Sequence, residues 1–398
     1  MTSPKILIVD DEPFNVDYLE QELEDSHYEI ISAGNGQEAL EKVRSESPDL
    51  ILLDIMMPVM DGFEVLSRLK PNPSTRDIPV IVISANSDVR SMVKGIQLGA
   101  EDYLPKPFEP VLLHARISSS LEKKRLRDLQ QLYLKSLERE LDIAREIQKG
   151  FLPSELPRVV GWEIAAYFKA AREVAGDFYD AFPLPDGNLV CVVGDVCDKG
   201  VGAALFMTLF RSLIRVTSTT ELFSGENKTN TLTPTERLNH VITFTNNYLN
   251  DTHGDAYMFA TIFIGILNTR DGTLTYVNCG NEPALVLGKG NTVTTLPPTG
   301  PVVGIIPDAS YSVKEIILEE NDLFLAFTDG IPDCKNAGND FFGTQRLIDT
   351  LHGRNISPLA LVDKVEEQLH QFIGTADQFD DITLLAIKRN PQGLVGFS

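Results

Sequence analysis

Short apolar runs in the first 106 residues end on groups suited to handling a phosphoryl group. Asp10 and Asp11 follow Ile6–Val9, Asp54 follows Leu50–Leu53, Ser84 closes the run from Val80, and Lys106 follows Asp102–Leu104. Two acids can hold a hard divalent cation through oxygen while a third attacks phosphorus and a lysine pairs with the product oxygens. Each residue alone reads as an ordinary turn acid or surface lysine. Their common place at the ends of apolar runs makes them a set.

A second group of acids lies downstream: Ala175-Gly176-Asp177 opens a strand-like stretch, Gly194-Asp195-Val196 and Thr328-Asp329-Gly330 each end one, and Asp380-Asp381-Ile382-Thr383 opens the last. Carboxylates beside glycines that admit close backbone approach can bring two divalent ions to about 3.5–4 Å and deprotonate a water that displaces an alcohol from phosphorus. Unrelated turn acids are the competing reading. Six histidines are too few for a histidine-rich centre, and Cys197 has no histidine neighbour in sequence to make it a nucleophile.

Elements must hold these groups. From Lys5 to about Leu113 strands and helical patterns alternate, which predicts an α/β domain with a doubly wound five-stranded parallel sheet and its site at the carboxyl ends of the strands. Glu109-Pro110 opens a helical stretch with no breaker before Gly150, roughly 40 residues or about 60 Å long. Its apolar positions Leu126, Leu129, Tyr133, Leu137, Leu141 and Ala144 form a near-heptad seam with a stutter, which predicts a long coiled-coil helix and a parallel homodimer rather than a solvated linker. From about Pro157, apolar runs at 163–168, 189–195, 258–267, 273–277, 284–287, 312–318, 322–327 and 382–388 read as strands. Helical patterns fall at 203–215, 234–250 and 358–372, so an α+β domain of two packed β-sheets flanked by helices is expected. The polar, Thr-rich segment 217–235 reads as a surface loop. The expected divisions are 1–120, a linker helix 121–150, a second domain 151–390 and a tail 391–398.

Composition excludes several classes. The 398 residues suit two to three domains of about 150 residues each. With 35 Lys and Arg against 57 Asp and Glu the net charge is −22, which opposes a nucleic-acid or anionic-membrane surface. The four cysteines form no C-x-x-C pair, as expected of a reducing, cytoplasmic setting. Ile6–Val9 is too short for a signal core, and Met258–Leu267, read as the longest apolar run, is too short to cross a bilayer, so neither export nor a membrane segment is expected.

The sequences Ile-Leu-Ile-Val-Asp10-Asp11-Glu12, Leu-Leu-Asp54-Ile-Met-Met-Pro58-Val-Met-Asp61-Gly62, Ile-Ser84-Ala and Asp102-Tyr-Leu-Pro-Lys106-Pro107 resemble the receiver domain of two-component response regulators over about residues 4 to 120. The resemblance implies Asp54 as phosphoacceptor, a Mg²⁺ held by Asp10, Asp11, Asp54 and the Met56 carbonyl, and Ser84 and Tyr103 as a switch pair. It further implies Lys106 as phosphate partner, a cis Lys106–Pro107 bond and a sensor histidine kinase as donor.

Residues 138–390 resemble the PPM-type serine/threonine phosphatases, in the SpoIIE-like branch, through Glu173-Val-Ala-Gly-Asp177-Phe-Tyr-Asp180, Gly194-Asp195-Val-Cys-Asp-Lys-Gly200, Thr328-Asp329-Gly330 and Asp380-Asp381-Ile-Thr. Glu140–Gln148 and Phe151-Leu-Pro153 resemble that branch's lead-in helix. The resemblance implies catalytic acids Asp177, Asp195, Asp329 and Asp380, and two Mn²⁺ or Mg²⁺ ligated by these, the Val196 carbonyl and Asp381. Three positions depart from the pattern: Cys197 where serine is common, the Asn278-Cys-Gly-Asn-Glu-Pro283 turn, and Ala175 in place of glycine. The implied function is dephosphorylation of a phosphoserine or phosphothreonine protein, an anti-sigma-factor antagonist in a partner-switching pathway. The alternative is a phosphorylation-controlled adaptor whose PPM-like domain binds without catalysis.

Overall fold

The computed structural model describes residues 3–85, 89–220, 232–351 and 356–391. The chain divides into two compact units, Met1–Glu138 and Arg139–Ser398.

The first unit runs β1 (Lys5–Val9), α1 (Pro13–Leu23), β2 (Glu29–Ala33), α2 (Gly36–Glu46), β3 (Leu50–Asp54), α3 (Gly62–Leu69), β4 (Val80–Ser84), α4 (Val89–Gln97) and β5 (Asp102–Pro105). All pairings are parallel, in the order β2-β1-β3-β4-β5. Parallel strands are covered on both faces, so their runs are apolar throughout. Ile6, Ile8, Leu50, Leu52, Ile81 and Ile83 form one core with Leu19, Leu23, Leu113 and Ile117. Leu7, Val9, Ile51, Leu53 and Val82 form the other with Leu40, Val43, Val65 and Leu66. The chain passes to β2 on one side of β1 and to β3 on the other, which leaves a crevice at the carboxyl ends of β1 and β3.

Helix α5 spans Pro110–Lys149 without interruption, 40 residues from the proline that sequence marks as its first turn. Leu126, Leu129, Tyr133 and Leu137 of the anticipated seam are exposed, and so are Leu132, Leu134, Ile143 and Ile147, which makes the apolar band wider than the seam alone.

The second unit contains β6 (Trp162–Lys169), β7 (Phe178–Pro183), β8 (Leu189–Val196), α6 (Val201–Thr219), α7 (Pro234–His253), β9 (Ala260–Leu267), β10 (Thr273–Cys279), β11 (Ala284–Leu287) and β12 (Val293–Leu296). It continues with β13 (Lys314–Ile317), β14 (Leu323–Phe327), α8 (Gly343–Leu351), α9 (Pro358–Ile373) and β15 (Ile382–Arg389). Two antiparallel sheets, β13-β10-β9-β8-β7 and β12-β11-β14-β15-β6, share a core in which Phe263 lies against Tyr276 and Phe324 at ring-centroid distances of 5.5 and 5.2 Å. Helices α6 and α7 cover the outer face of the first sheet, and α8 and α9 that of the second. Thr233 caps α7 reciprocally with Glu236, ahead of Pro234, and Ser357 caps α9 ahead of Pro358.

Two elements escaped the sequence reading, β12 and α8, whereas β7 follows Asp177 as the strand-like stretch expected there. Within the Thr-rich segment read as a loop, Thr217–Thr219 closes α6 and Pro234 opens α7, while 221–231 lie outside the described residues. The tail at 392–398 also lies outside them. Among the described residues, helix α6, and not Met258–Leu267, is the stretch long and apolar enough to cross a bilayer by length and composition. Here Ala203, Met207, Phe210 and Ile214 of α6 pack into the domain core.

Candidate functional site

In the first unit the strand ends bring the expected groups together. Lys106 Nζ lies 2.7 Å from Asp10 Oδ2 and 3.0 Å from Asp54 Oδ1, so one ammonium bridges β1 and β3. Asp10 Oδ1 also accepts from the Glu12 amide and the Asn15 carboxamide, each at 3.0 Å, and Asp54 Oδ2 accepts from the Met56 amide at 2.9 Å. Burial pushes the Asp54 carboxyl up, against the opposing pull of Lys106. A side chain on Gly62 would place its Cβ 2.4 Å from the Asp54 carbonyl, which explains the glycine after Asp61. Asp11 is exposed, Ser84 and Tyr103 are buried, and the Lys106–Pro107 peptide is cis.

In the second unit antiparallel register does the gathering. Phe327 pairs with Leu384, so Thr328 and Thr383, just beyond it, meet through Thr328 N to the Thr383 carbonyl (3.1 Å) and Thr383 N to Thr328 Oγ1 (3.1 Å). Both hydroxyls donate to Asp177 Oδ2, at 2.7 and 2.6 Å. Asp381 accepts from the Ala171 and Gly176 amides at 2.7 and 2.8 Å, and its own amide donates to Asp380 Oδ1 at 2.9 Å. At Gly330 a Cβ would fall 1.7 Å from the Asp381 carbonyl, so only glycine lets Asp329 come this close to the Asp380–Asp381 turn.

The resulting field is strongly negative. Burial, with the charges of Asp195 and Asp381, holds Asp177 far above the usual carboxylate range. Asp195 is pushed up to about 7 by burial and by Asp329, and Asp329 is raised by burial and by Asp380. The single ion pair formed by these five acids among the described residues is Lys199 to Asp380, at 2.8 Å. An all-oxygen donor set whose charge is so poorly compensated fits hard divalent cations. Among the described residues, however, no three His, Cys, Asp or Glu side chains are grouped closely enough to hold a metal ion as they stand.

Sequence reasoning missed the groups that support this centre. Gln148, at the end of α5, is buried and donates to the Ala175 carbonyl (2.7 Å) while accepting from the Ala175 amide (2.9 Å), two residues before Asp177. Asp180 on β7 is buried and ion-pairs with Arg211 (2.9 Å) and Arg215 (2.9 Å), which ties the strand after Asp177 to α6. Glu282, in the turn that departs from the expected wording, has its carboxyl raised by burial and by Asp329 and Asp333. Cys197 is half-buried, with Sγ 3.2 Å from the Phe259 amide, and among the described residues no acid or histidine is bonded to it.

Comparison with known proteins agrees with this architecture. The Response regulator receiver domain family matches residues 6–118, and the Stage II sporulation protein E (SpoIIE) family matches 185–390, about half of the chain. Protein IcfG of Synechocystis sp. is 39% identical over 269 residues, 63% of this chain and 42% of that protein. Response regulator PleD of Caulobacter vibrioides is 45% identical over 117 residues, 29% of this chain and 26% of its own length. This chain therefore spans less than half of either relative. The SiaA-PP2C domain of Pseudomonas aeruginosa superposes with a TM-score of 0.52 at 22% identity, over 64% of this chain and 98% of that one, a likeness of fold. The chain belongs to the SpoIIE family, as a response regulator with an N-terminal receiver domain and a C-terminal PPM-type, SpoIIE-like phosphatase domain.

Proposed function

We propose that the chain is a metal-dependent protein-serine/threonine phosphatase whose rate is set by phosphorylation of its own receiver. The observation that carries the catalytic reading is the cluster of Asp177, Asp195, Asp329, Asp380 and Asp381 at strand ends, Asp177 and Asp381 buried and the other three half-buried, with one ammonium among them. Asp177, Asp195, Asp329, Asp380, Asp381 and the Val196 carbonyl would hold two Mn²⁺ or Mg²⁺, which supply charge neutralisation and an acidified water at neutral pH. Thr328 and Thr383 orient Asp177, and the Ala171 and Gly176 amides orient Asp381, so the carboxylates are held before substrate arrives. In the hydrolysis a water oxygen bonds to phosphorus, the P–O bond to the substrate hydroxyl breaks, that oxygen takes a proton, and inorganic phosphate leaves.

In the receiver, residues 1–120, an Asp54 oxygen would bond to the phosphorus of a histidine kinase's phosphohistidine as the P–N bond breaks and the imidazole leaves, and Asp10, Asp11, Asp54 and the Met56 carbonyl would hold a Mg²⁺ that offsets the phosphoryl charge. Lys106, already 3.0 Å from Asp54, pairs with the product oxygens, and Ser84 and Tyr103 respond to them. Helix residues 121–150 pair with a second copy in a parallel homodimer, and a change in that pairing reaches the phosphatase domain at 151–390. The substrate class that fits this partner-switching reading is a phosphorylated anti-sigma-factor antagonist, met in the cytoplasm without nucleic acid or membrane.

The test is release of inorganic phosphate from a phosphoserine peptide by the full chain. Turnover in Mn²⁺ that stops with EDTA and is absent from Asp329→Asn supports an enzyme. Peptide binding without turnover at any metal concentration identifies an adaptor instead.

A further inference from the structure

At one edge of the acid cluster the charge changes sign. Lys199, between β8 and α6, reaches Asp380 at 2.8 Å, donates to the Phe379 carbonyl at 2.9 Å and lies 4.8 Å from the centroid of the Phe379 ring. Lys335, beyond β14, lies 3.7 Å from the centroid of the same ring and 5.0 Å from that of Phe341. Lys335 is half-buried and has no carboxylate partner among the described residues, in a chain of net charge −22. Phe379 and Phe341 are themselves partly exposed. Gln378 donates to the carbonyls of Lys169 and Asp380, which fixes the turn that carries Phe379. Two ammonium groups on one ring, a residue away from Asp380, form a prepared feature rather than a scattered surface charge.

A phosphomonoester dianion that approaches five carboxylates meets repulsion, and a cation at the rim offsets it. Lys199 stands at that rim, in contact with Asp380. We propose that Lys199 binds the phosphoryl oxygens of the substrate, with Lys335 as a second positive charge held beside it by Phe379. This rests on the phosphatase reading and adds the residue that recognises the leaving phosphate. Lys199 gives up part of its pairing with Asp380 as it takes the phosphoryl group, so recognition and the acid cluster are linked through one ammonium.

The experiment measures inorganic phosphate binding to the full chain in Mg²⁺ by calorimetry, alongside kcat and KM for a phosphoserine peptide. Lys199→Gln is expected to weaken phosphate binding about tenfold or more and to raise KM more than it lowers kcat. Lys335→Gln has a smaller effect in the same direction, Lys199→Arg recovers most of the loss, and the differences shrink in high salt. Unchanged phosphate binding in both Gln variants overturns the proposal. So does a change confined to melting temperature and metal requirement, which makes Lys199 only a counter-ion of Asp380. A wild type that binds phosphate through Lys199 yet hydrolyses nothing refutes the phosphatase reading and leaves phosphate recognition standing.

Discussion

Gln148 meets the backbone of Ala175 twice, its carboxamide donating to the carbonyl at 2.7 Å and accepting from the amide at 2.9 Å. This buried clasp joins the last turn of α5 to the loop that carries Asp177, and Gly176 between them donates to Asp381. Replacing Gln148 by alanine strands a buried N–H and a buried C=O. Gln148→Ala is therefore expected to lower unfolding free energy by about 1–3 kcal/mol and to weaken phosphatase turnover, read from urea denaturation and peptide hydrolysis. Unchanged stability together with unchanged turnover contradicts the clasp.

Val59 stands at φ +71°, in the left-handed region, on an exposed turn between Asp54 and Asp61. A β-branched side chain is strained there by about 1–3 kcal/mol, more than the entropy that glycine adds to the unfolded chain. Val59→Gly should raise the receiver's melting temperature. A lower melting temperature shows that the valine is accommodated without strain.

The clustering at Asp10, Asp54 and Lys106 was legible because parallel strands deliver their carboxyl ends to one crevice, so position along the chain alone brings them together. The Asp177–Thr328–Thr383 triangle was not, because it depends on the register of β14 against β15 and links residues 151 and 206 positions apart. β12 is an edge strand with two exposed threonines, and α8 buries only Leu347, Thr350 and Leu351. β12 thus leaves no strong alternation, and α8, although amphipathic, is only nine residues long.

The buried Asp180 carboxylate is shared by two guanidinium groups, one of which, Arg211, is itself largely buried. Asp180→Ala leaves that charge uncompensated and should cost about 3–5 kcal/mol, whereas Arg215→Lys, at the more exposed partner, should cost far less. Chemical denaturation of both variants decides it, and equal small losses refute the network's role.

Three of the four cysteines are buried, with the Cys191 thiol pushed up to about 12 and the Cys334 thiol to about 11, and with Cys279 raised by burial as well. Cys197 alone is partly exposed. At pH 8 the native protein should react with a thiol reagent at Cys197 and at no other cysteine, and Cys197→Ser should abolish the reaction. Rapid labelling of a second cysteine contradicts the packing of the sheets.

Control of one carboxylate cluster by the other is the central claim, and the exposed stripe Leu126, Leu129, Tyr133 and Leu137 is the element proposed to carry it through pairing of two chains. The most direct measurement is the rate of phosphate release from a phosphoserine peptide in Mn²⁺, with and without a small-molecule phosphodonor, for wild type, Asp54→Asn and Leu137→Glu. The account predicts a rate change of about fivefold or more in the wild type, none in Asp54→Asn, and a lost response in a Leu137→Glu protein that sediments as a monomer. A full response in Asp54→Asn or in the monomeric variant, or a wild type indifferent to the phosphodonor, contradicts it.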